Sequence, residues 1–372
     1  MGSVSHQISP LADEILGILG DRSLSFKEFM ELALYDPQHG YYNSSAAPGR
    51  TGDFFTSVSV GNCFGELLAV YLHQSWEGKG CPASFVVIEQ GGHAGTLAAD
   101  ILDSLYANFP ALYKCFRLIA IERSRHAMSD PRLSKHACWK CDADLGAVKG
   151  GSVDLVFANE LLDAFAVHRV TWRGPDVGWE EVYVTAGVED PSLRLGHGPI
   201  TSPEVHRHLD QIDISDFGPG YTTEVNTGVS PWLGSVKRAL APNGKVLVID
   251  YGLSAEAYHA ASRSDGTLQA YHQHQRVEDA LALPGEQDLT AHVNFTELET
   301  SAAEIGLRVS RFEEQHRFLT TLARGPLLAM EKRLAGAAPD EAAMKWVRQF
   351  QQLLSMGPTF KVMELTNSVT ST

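Results

Sequence analysis

Apolar and polar positions alternate along the chain with two distinct periods. Up to about residue 80 they recur at helical spacing, in "PLADEILGILG" and then in "SFKEFMELALY". Ser25 stands where a cap would, with Glu28 three residues on, the sequence signature of a capping box. Between these helices and the next regular pattern lies "YDPQHGYYNSSAAPGRTGDFFTS", a loop rich in Gly, Pro, Ser and Tyr. Loops of that length in compact domains are often functional. From about residue 84 short continuous apolar runs take over, and each is followed by a helical stretch. "SFVVIEQ" precedes a helix "GTLAADILDSLYANF", then "FRLIAIERS" follows. "VDLVFANELLDAF" reads as strand into helix, and "SPWLGSVKRALAPNGKVLVIDYG" as helix, turn and strand. "LRVSRFEEQHRFLTTL" supplies late strand candidates at the sheet edge. Strands that are apolar throughout and alternate with helices indicate a parallel sheet covered on both faces, hence an α/β fold.

The pattern divides the chain into a helical N-terminal region, 1–80, carrying a candidate active-site loop, and a core, 81–372. Residues 186–225 and 254–293 are polar and punctuated by Gly and Pro, so they read as insertions near the carboxyl ends of strands. Ligands bind along that edge in open sheets.

The 372 residues, 44% of them apolar, suffice for one large domain with insertions or two smaller ones. The longest apolar runs fall far short of the roughly 18 residues a membrane span needs. The first residues, "MGSVSHQISP", lack the basic flank and apolar core of a secretory signal and the arginines of a transit peptide, so a cytoplasmic location is expected. They begin Met-Gly, but a myristoylation site wants Ser or Thr where His6 stands. A formal charge of −15 disfavours nucleic-acid binding, which needs a basic surface. It permits a basic protein partner, although acidity also serves solubility. Five cysteines make a disulfide framework improbable. The "CWKC" of Cys138 to Cys141 does not open a helical pattern and has no second C-x-x-C to complete a zinc site.

The chemistry gathers at strand ends. In "VVIEQGGHAGTLAADIL" a strand closes on Glu89, turns through glycines and enters a helix. The next strand closes on Glu122, and an acid there can accept both hydroxyls of a ribose. Dinucleotide dehydrogenases share that second acid, but their loop approaches a pyrophosphate and runs G-x-G-x-x-G. Glu89, two residues ahead of Gly91, would repel a pyrophosphate and suit a cofactor bearing an ammonium and a sulfonium. That favours S-adenosylmethionine (SAM) over a nicotinamide dinucleotide.

The blocks "ELALYDPQHGYY", "TGDFFTS", "FANELLDAF", "VIDYG", "DGTLQAYHQH" and "PGEQDLTAHVNF" occur in one order. Together, from about Phe26 to Leu322, they resemble the MidA-like family, to which the mitochondrial complex I assembly arginine methyltransferase belongs. The resemblance implies a Rossmann-like seven-strand SAM methyltransferase core with α/β insertions. It also implies methylation of an arginine on a respiratory-chain subunit. One departure stands out. The family loop reads E-x-G-P-G-x-G, whereas this chain has Glu89, Gly91, Gly92, His93, Ala94 and Gly95. If the backbone at His93 has positive φ, a side chain there costs about 1–2 kcal/mol.

On this reading Gly52, Glu89, Gly91, Gly95, Glu122, Asp142 and Asn159 are the cofactor-side candidates, with Asp144 a further one for the adenine edge. Asp53, Glu160 and Asp163 are the catalytic candidates. Asp163, one helical turn after Glu160 at i, i+3, points to the same helix face, and the pair would offer two carboxylates to one guanidinium. His272, His274 and His292 with Asp288 fit no standard metal spacing, so no metal is expected. The partner expected is an arginine-bearing protein substrate, and a homodimer stays open. Two other readings compete: a binding or assembly factor that has kept the fold and weakened its catalysis, motivated by His93, and a nicotinamide oxidoreductase.

Overall fold

The computed structural model describes residues 9–20, 22–43, 56–124, 127–187, 192–273, 275–336 and 340–367. The chain forms two compact units. One comprises Met1–Phe54, Leu162–Pro231 and Leu253–Glu297; the other comprises Phe55–Leu161, Trp232–Gly252 and Leu298–Thr372. This grouping differs from a division at residue 80. The N-terminal helices share a core with the two central segments, and the helix Cys63–Gly78 belongs with the sheet unit.

The sheet unit is built on seven strands: β1 (Phe85–Gln90), β2 (Phe116–Ile121), β3 (Trp139–Asp142), β4 (Val153–Asn159), β5 (Leu240–Leu253), β6 (Arg308–Glu314) and β7 (Phe360–Thr366). They lie in the order β3-β2-β1-β4-β5-β7-β6. The first five run parallel, and β7 is antiparallel to both its neighbours. The order reverses between β1 and β4, which makes their carboxyl ends a topological switch point. Val87, Leu118, Leu155 and Leu247 are buried in one core cluster with Phe64, Leu68 and Leu72 of the helix Cys63–Gly78. Leu97, Ile101 and Leu105 of the helix Thr96–Asn108 complete that face. Burying such aliphatic side chains contributes about 1.5–3 kcal/mol each. The late segment "LRVSRFEEQHRFLTTL" is a strand only to Glu314. From Gln315 to Leu322 it is a helix whose buried positions, Gln315, Phe318, Leu319 and Leu322, recur at helical spacing.

In the other unit the helices Pro10–Leu19 and Phe26–Tyr35 pack around Ile15, Leu19, Phe29 and Leu34. Ser25 and Glu28 form the capping box read from the sequence. The strands Leu24–Ser25, Trp179–Ala186, His168–Trp172 and Thr222–Val225 form an antiparallel sheet in that order, and Leu193–Gly198 pairs with Trp179–Ala186. A second small sheet joins Gln275–Val277, Gln269–His272 and Asp288–Thr290.

Candidate functional site

The carboxyl ends of β1 to β5 carry one acid or amide after another. Glu89 sits at the end of β1, is 2% exposed, and its Oε2 has no hydrogen-bond partner among the described residues. Burial pushes this carboxyl up to about 8, and the charge of Glu122 adds to the effect. Glu122, just past β2, is held from two sides. Its Oε2 accepts from the His93 N–H at 2.7 Å and its Oε1 from the Ser124 N–H at 2.9 Å. A carboxylate has about four lone-pair positions, so these bonds orient Glu122 while leaving it able to accept from a pair of hydroxyls. At the end of β3, Asp142 accepts from Lys140 Nζ at 2.6 Å. Asp144 caps the short turn Leu145–Ala147 through the Gly146 N–H, which accounts for it structurally. At the end of β4, the Asn159 Nδ2 donates to Glu160 Oε1 at 3.3 Å, and the buried Asn159 Oδ1 has no partner among the described residues.

The turn between β1 and its helix follows from three backbone positions. Gly91, at φ +78°, donates its N–H to the Ile121 carbonyl. His93 is at φ +44°, so the side chain does stand on left-handed backbone. Gly95, at φ +83°, caps the helix, and a Cβ there would lie 2.7 Å from a Leu133 methyl and 2.9 Å from the Met128 sulfur. The Met128 N–H donates to the His93 carbonyl at 2.8 Å, so the segment after β2 braces the turn. A Cβ on Gly92 would come within 2.9 Å of the Glu89 carboxyl carbon, so Glu89 lies directly beneath the turn.

The expectation of a helix from Glu160 to Asp163 is overturned. Residues 160–167 form no helix. Glu160 is at φ +49°, outside right-handed helical backbone, and the Leu161 N–H donates to the buried Asp250 carboxylate of β5 at 3.2 Å. Glu160 remains at the strand end, its Oε1 also accepting from the Ser57 N–H at 3.2 Å. Asp163 falls in the other unit, where it is buried and its carbonyl accepts from the Ala291 N–H. The shared helix face is therefore not formed. Gly52 and Asp53 lie outside the described residues.

The structure therefore brings Glu89, Gly91, Gly95, Glu122, Asp142, Asn159 and Glu160 to one edge of one sheet. Two residues there went unread in the sequence. Asp250 is fully buried and fixes two backbone N–H groups, of Leu161 and Tyr251; an acid closing the apolar run "VLVID" was its signal. Gln90 accepts from the Trp232 indole at 2.9 Å, for which the sequence offers no signal. Cys138 and Cys141 are free thiols flanking and within β3. Among the described residues no group of His, Cys, Asp and Glu could hold a metal ion, and no helix is long and apolar enough to cross a membrane.

A largely parallel sheet whose order reverses between β1 and β4, with acids closing β1 and following β2, is the architecture of enzymes that bind a nucleoside cofactor. Residues 67–313 match the S-adenosyl-L-methionine-dependent methyltransferase family, and the chain belongs to it. This agrees with the MidA-like resemblance of the motif blocks. The chain is 29% identical to a Drosophila melanogaster protein named protein arginine methyltransferase NDUFAF7 homolog, mitochondrial, over 94% of this chain and 82% of that one. It is 27% identical to the Rattus norvegicus NDUFAF7, over 80% and 71% of the two chains. A Burkholderia thailandensis protein crystallised with S-adenosyl-homocysteine has a similar structure, with a TM-score of 0.82 and 26% identity over 96% of this chain and 91% of that one.

Proposed function

We propose that this enzyme transfers the methyl group of SAM to an arginine side chain of a protein acceptor, a respiratory-chain subunit of the complex I type. The observation that carries the reading is the buried Glu89, whose Oε2 has no partner among the described residues, beside an oriented Glu122 in a chain whose relatives are named protein arginine methyltransferases. The residues fit the cofactor. Glu89 would receive the ammonium, Glu122 the ribose hydroxyls, and Asp142 the adenine edge. Gly91 and Gly95 would let the backbone approach, with Asn159 offering its side-chain oxygen; Gly52 stays a cofactor-side candidate, tested by its own variant. When bound, SAM supplies a methyl group on positively charged sulfur.

The protein's own task is then mainly positioning, which can lower a barrier by roughly 7–11 kcal/mol when reacting atoms are held at attack distance. An arginine guanidinium has a pKa above about 12, so its nitrogen must be oriented and relieved of a proton as transfer proceeds. A fixed carboxylate stabilises the cation through that change. Glu160 is the acceptor-side candidate of the sheet unit; Asp53 and Asp163 are the further catalytic candidates, each tested by its own amide variant.

The test is incubation with SAM carrying a labelled methyl and purified candidate complex I subunits, read by mass spectrometry. Methylarginine on one subunit is expected, and label found only on other residue types would overturn the arginine reading. A second reading, a scaffold of weakened catalysis, is favoured by His93 on left-handed backbone. It predicts S-adenosyl-homocysteine binding with no transfer to any subunit. Several relatives are named mitochondrial; whether this chain shares that compartment or the cytoplasm is decided by fractionating cells that express it.

A further inference from the structure

The charge of −15 is not spread over the molecule. The segments Met1–Phe54, Leu162–Pro231 and Leu253–Glu297 hold 25 Asp and Glu against 9 Lys and Arg, a formal −16. The sheet unit holds the remaining 20 against 21, a formal +1. Less than half of the chain thus carries all of its net charge. Acidity serving solubility alone gives no reason for such a partition, since both units expose surface to water.

The acidic unit also presents an aromatic surface. Trp172 and Trp179 face each other across a hairpin, in register and with ring centroids 5.5 Å apart. The loop that follows the helix Pro203–Leu209 brings Phe217 flat onto Tyr221, with centroids 3.7 Å apart, and Phe217 edge-on to Trp179. This loop is tied to the hairpin by backbone bonds between Trp172 and both Gly220 and Tyr221, each 2.7 Å long. Tyr221 is buried beneath, whereas Trp172, Trp179 and Phe217 stay half-buried and Val177 at the hairpin tip is 62% exposed. Asp176 on the hairpin and Asp210, Asp213 and Asp216 on the loop are all exposed, and the hairpin's exposed Arg173 is paired with Glu180 at 3.2 Å.

We infer that this hairpin-and-loop surface docks a basic polypeptide segment of the acceptor protein. Indole and phenyl faces attract guanidinium and ammonium groups, and the surrounding carboxylates raise the local concentration of such segments and set their orientation. Tryptophan anchors ringed by polar groups are the usual energetic centre of an interface. The inference rests on the reading that the acceptor is a protein, and it names how that protein is held.

The test measures binding without methyl transfer. The full-length enzyme is titrated into a fluorescein-labelled peptide rich in Arg, Lys, Gly and Ser, and into the same peptide with Asp and Glu in place of Arg and Lys. Only the basic peptide is expected to bind, with an affinity falling about tenfold or more between about 50 and about 300 mM NaCl. The triple variant Asp210→Asn, Asp213→Asn, Asp216→Asn should lose about tenfold at low salt. It keeps an acceptor for the Ser215 N–H, which Asp213 now binds at 3.0 Å, so its fold is preserved. Phe217→Leu, which retains bulk and loses the ring face, should lose about threefold. Equal binding of the acidic peptide, no binding of either peptide, or undiminished binding by the triple variant overturns the proposal. If the basic peptide binds as described while no methylarginine is made, the arginine reading falls and the docking surface stands.

Discussion

Replacing Glu89 with Gln tests the cofactor assignment at its most exposed physical assumption. The Glu89 carboxyl is buried, lies under the turn, and is raised to about 8. At pH 7, one unit lower, about nine in ten molecules hold it protonated, whereas a cofactor ammonium requires it ionised. Taking off that proton costs about 1.4 kcal/mol at pH 7 and almost nothing at pH 9. Wild-type affinity for S-adenosyl-homocysteine should therefore rise about tenfold over that interval, after correction for the titration of the ligand's own amine. Calorimetry at pH 7 in two buffers of different ionisation enthalpy should show about 0.9 protons released per ligand bound. In Glu89→Gln the rising limb and the proton release should vanish, with affinity at pH 9 lower by about 10- to 100-fold for the lost charged hydrogen bond.

The same group makes a stability prediction of definite sign. Its value in the folded protein lies above the ordinary carboxylate value of 4.5, so the folded state is favoured most below pH 4.5 and loses that contribution as pH climbs through about 8. Glu89→Gln should consequently melt higher than wild type at pH 8–9 and gain no such advantage at pH 4. Amine-corrected affinity that is flat from pH 6 to pH 9, with no proton release in wild type, would refute the placement of the ammonium beside Glu89.

Three further variants address single residues. Glu122→Ala should weaken S-adenosyl-homocysteine binding by about 1–3 kcal/mol, because the residue would hold two hydroxyls and also anchors the His93 and Ser124 N–H groups; unchanged affinity by calorimetry would remove it from the site. Glu160→Gln should leave cofactor affinity nearly intact and depress methyl transfer, since the amide still accepts from the Ser57 N–H but cannot stabilise a cation; normal turnover would make Glu160 structural. His93→Gly relieves about 1–2 kcal/mol of left-handed backbone and gives back about 0.5–1 kcal/mol in chain entropy, so denaturant unfolding should show a stability equal to or slightly above wild type. A clear loss of stability would mean that contacts of the imidazole outweigh its backbone cost.

Local signals carried most of the elements. The capping box at Ser25 and Glu28, the strands ending at Glu89 and Glu122 and the helix from Thr96 all follow from periodicity and turn residues within a short window. What failed depends on distant partners. The helix expected after Asn159 does not form: Glu160 stands on left-handed backbone, and the Leu161 N–H is held by Asp250, some ninety residues away in sequence. The strand Phe360–Thr366 was not anticipated, and nothing in "FKVMELT" says that it inserts antiparallel between β5 and β6. The acidic unit is assembled from three segments whose shared core, with Ile15, Val184 and Leu289 in one cluster, is invisible to any local pattern. The charge partition became visible only after that assembly was known.

The glycine turn shows why a departure from the family fingerprint need not abolish its purpose. At Gly95 both the backbone angle and the crowding by Leu133 and Met128 exclude a side chain, and the chain keeps glycine. At Gly92 φ is ordinary, but a Cβ would press on the Glu89 carboxyl; the proline of the family pattern would do the same, so glycine here goes with a carboxylate tucked under the turn. At position 93 the turn requires only left-handed backbone, an N–H for Glu122 and a carbonyl for Met128. Any residue supplies the last two, and histidine is among the few side chains enriched in left-handed backbone. The substitution therefore falls where its cost is confined to about 1–2 kcal/mol of backbone strain. Glycine is kept at Gly91 and Gly95, where a positive φ and a neighbouring side chain, Leu161 or Leu133, together exclude a Cβ. The turn thus keeps its glycines where the backbone demands them and keeps Glu89 and Glu122 beside them, which favours a working cofactor cradle over an abandoned site.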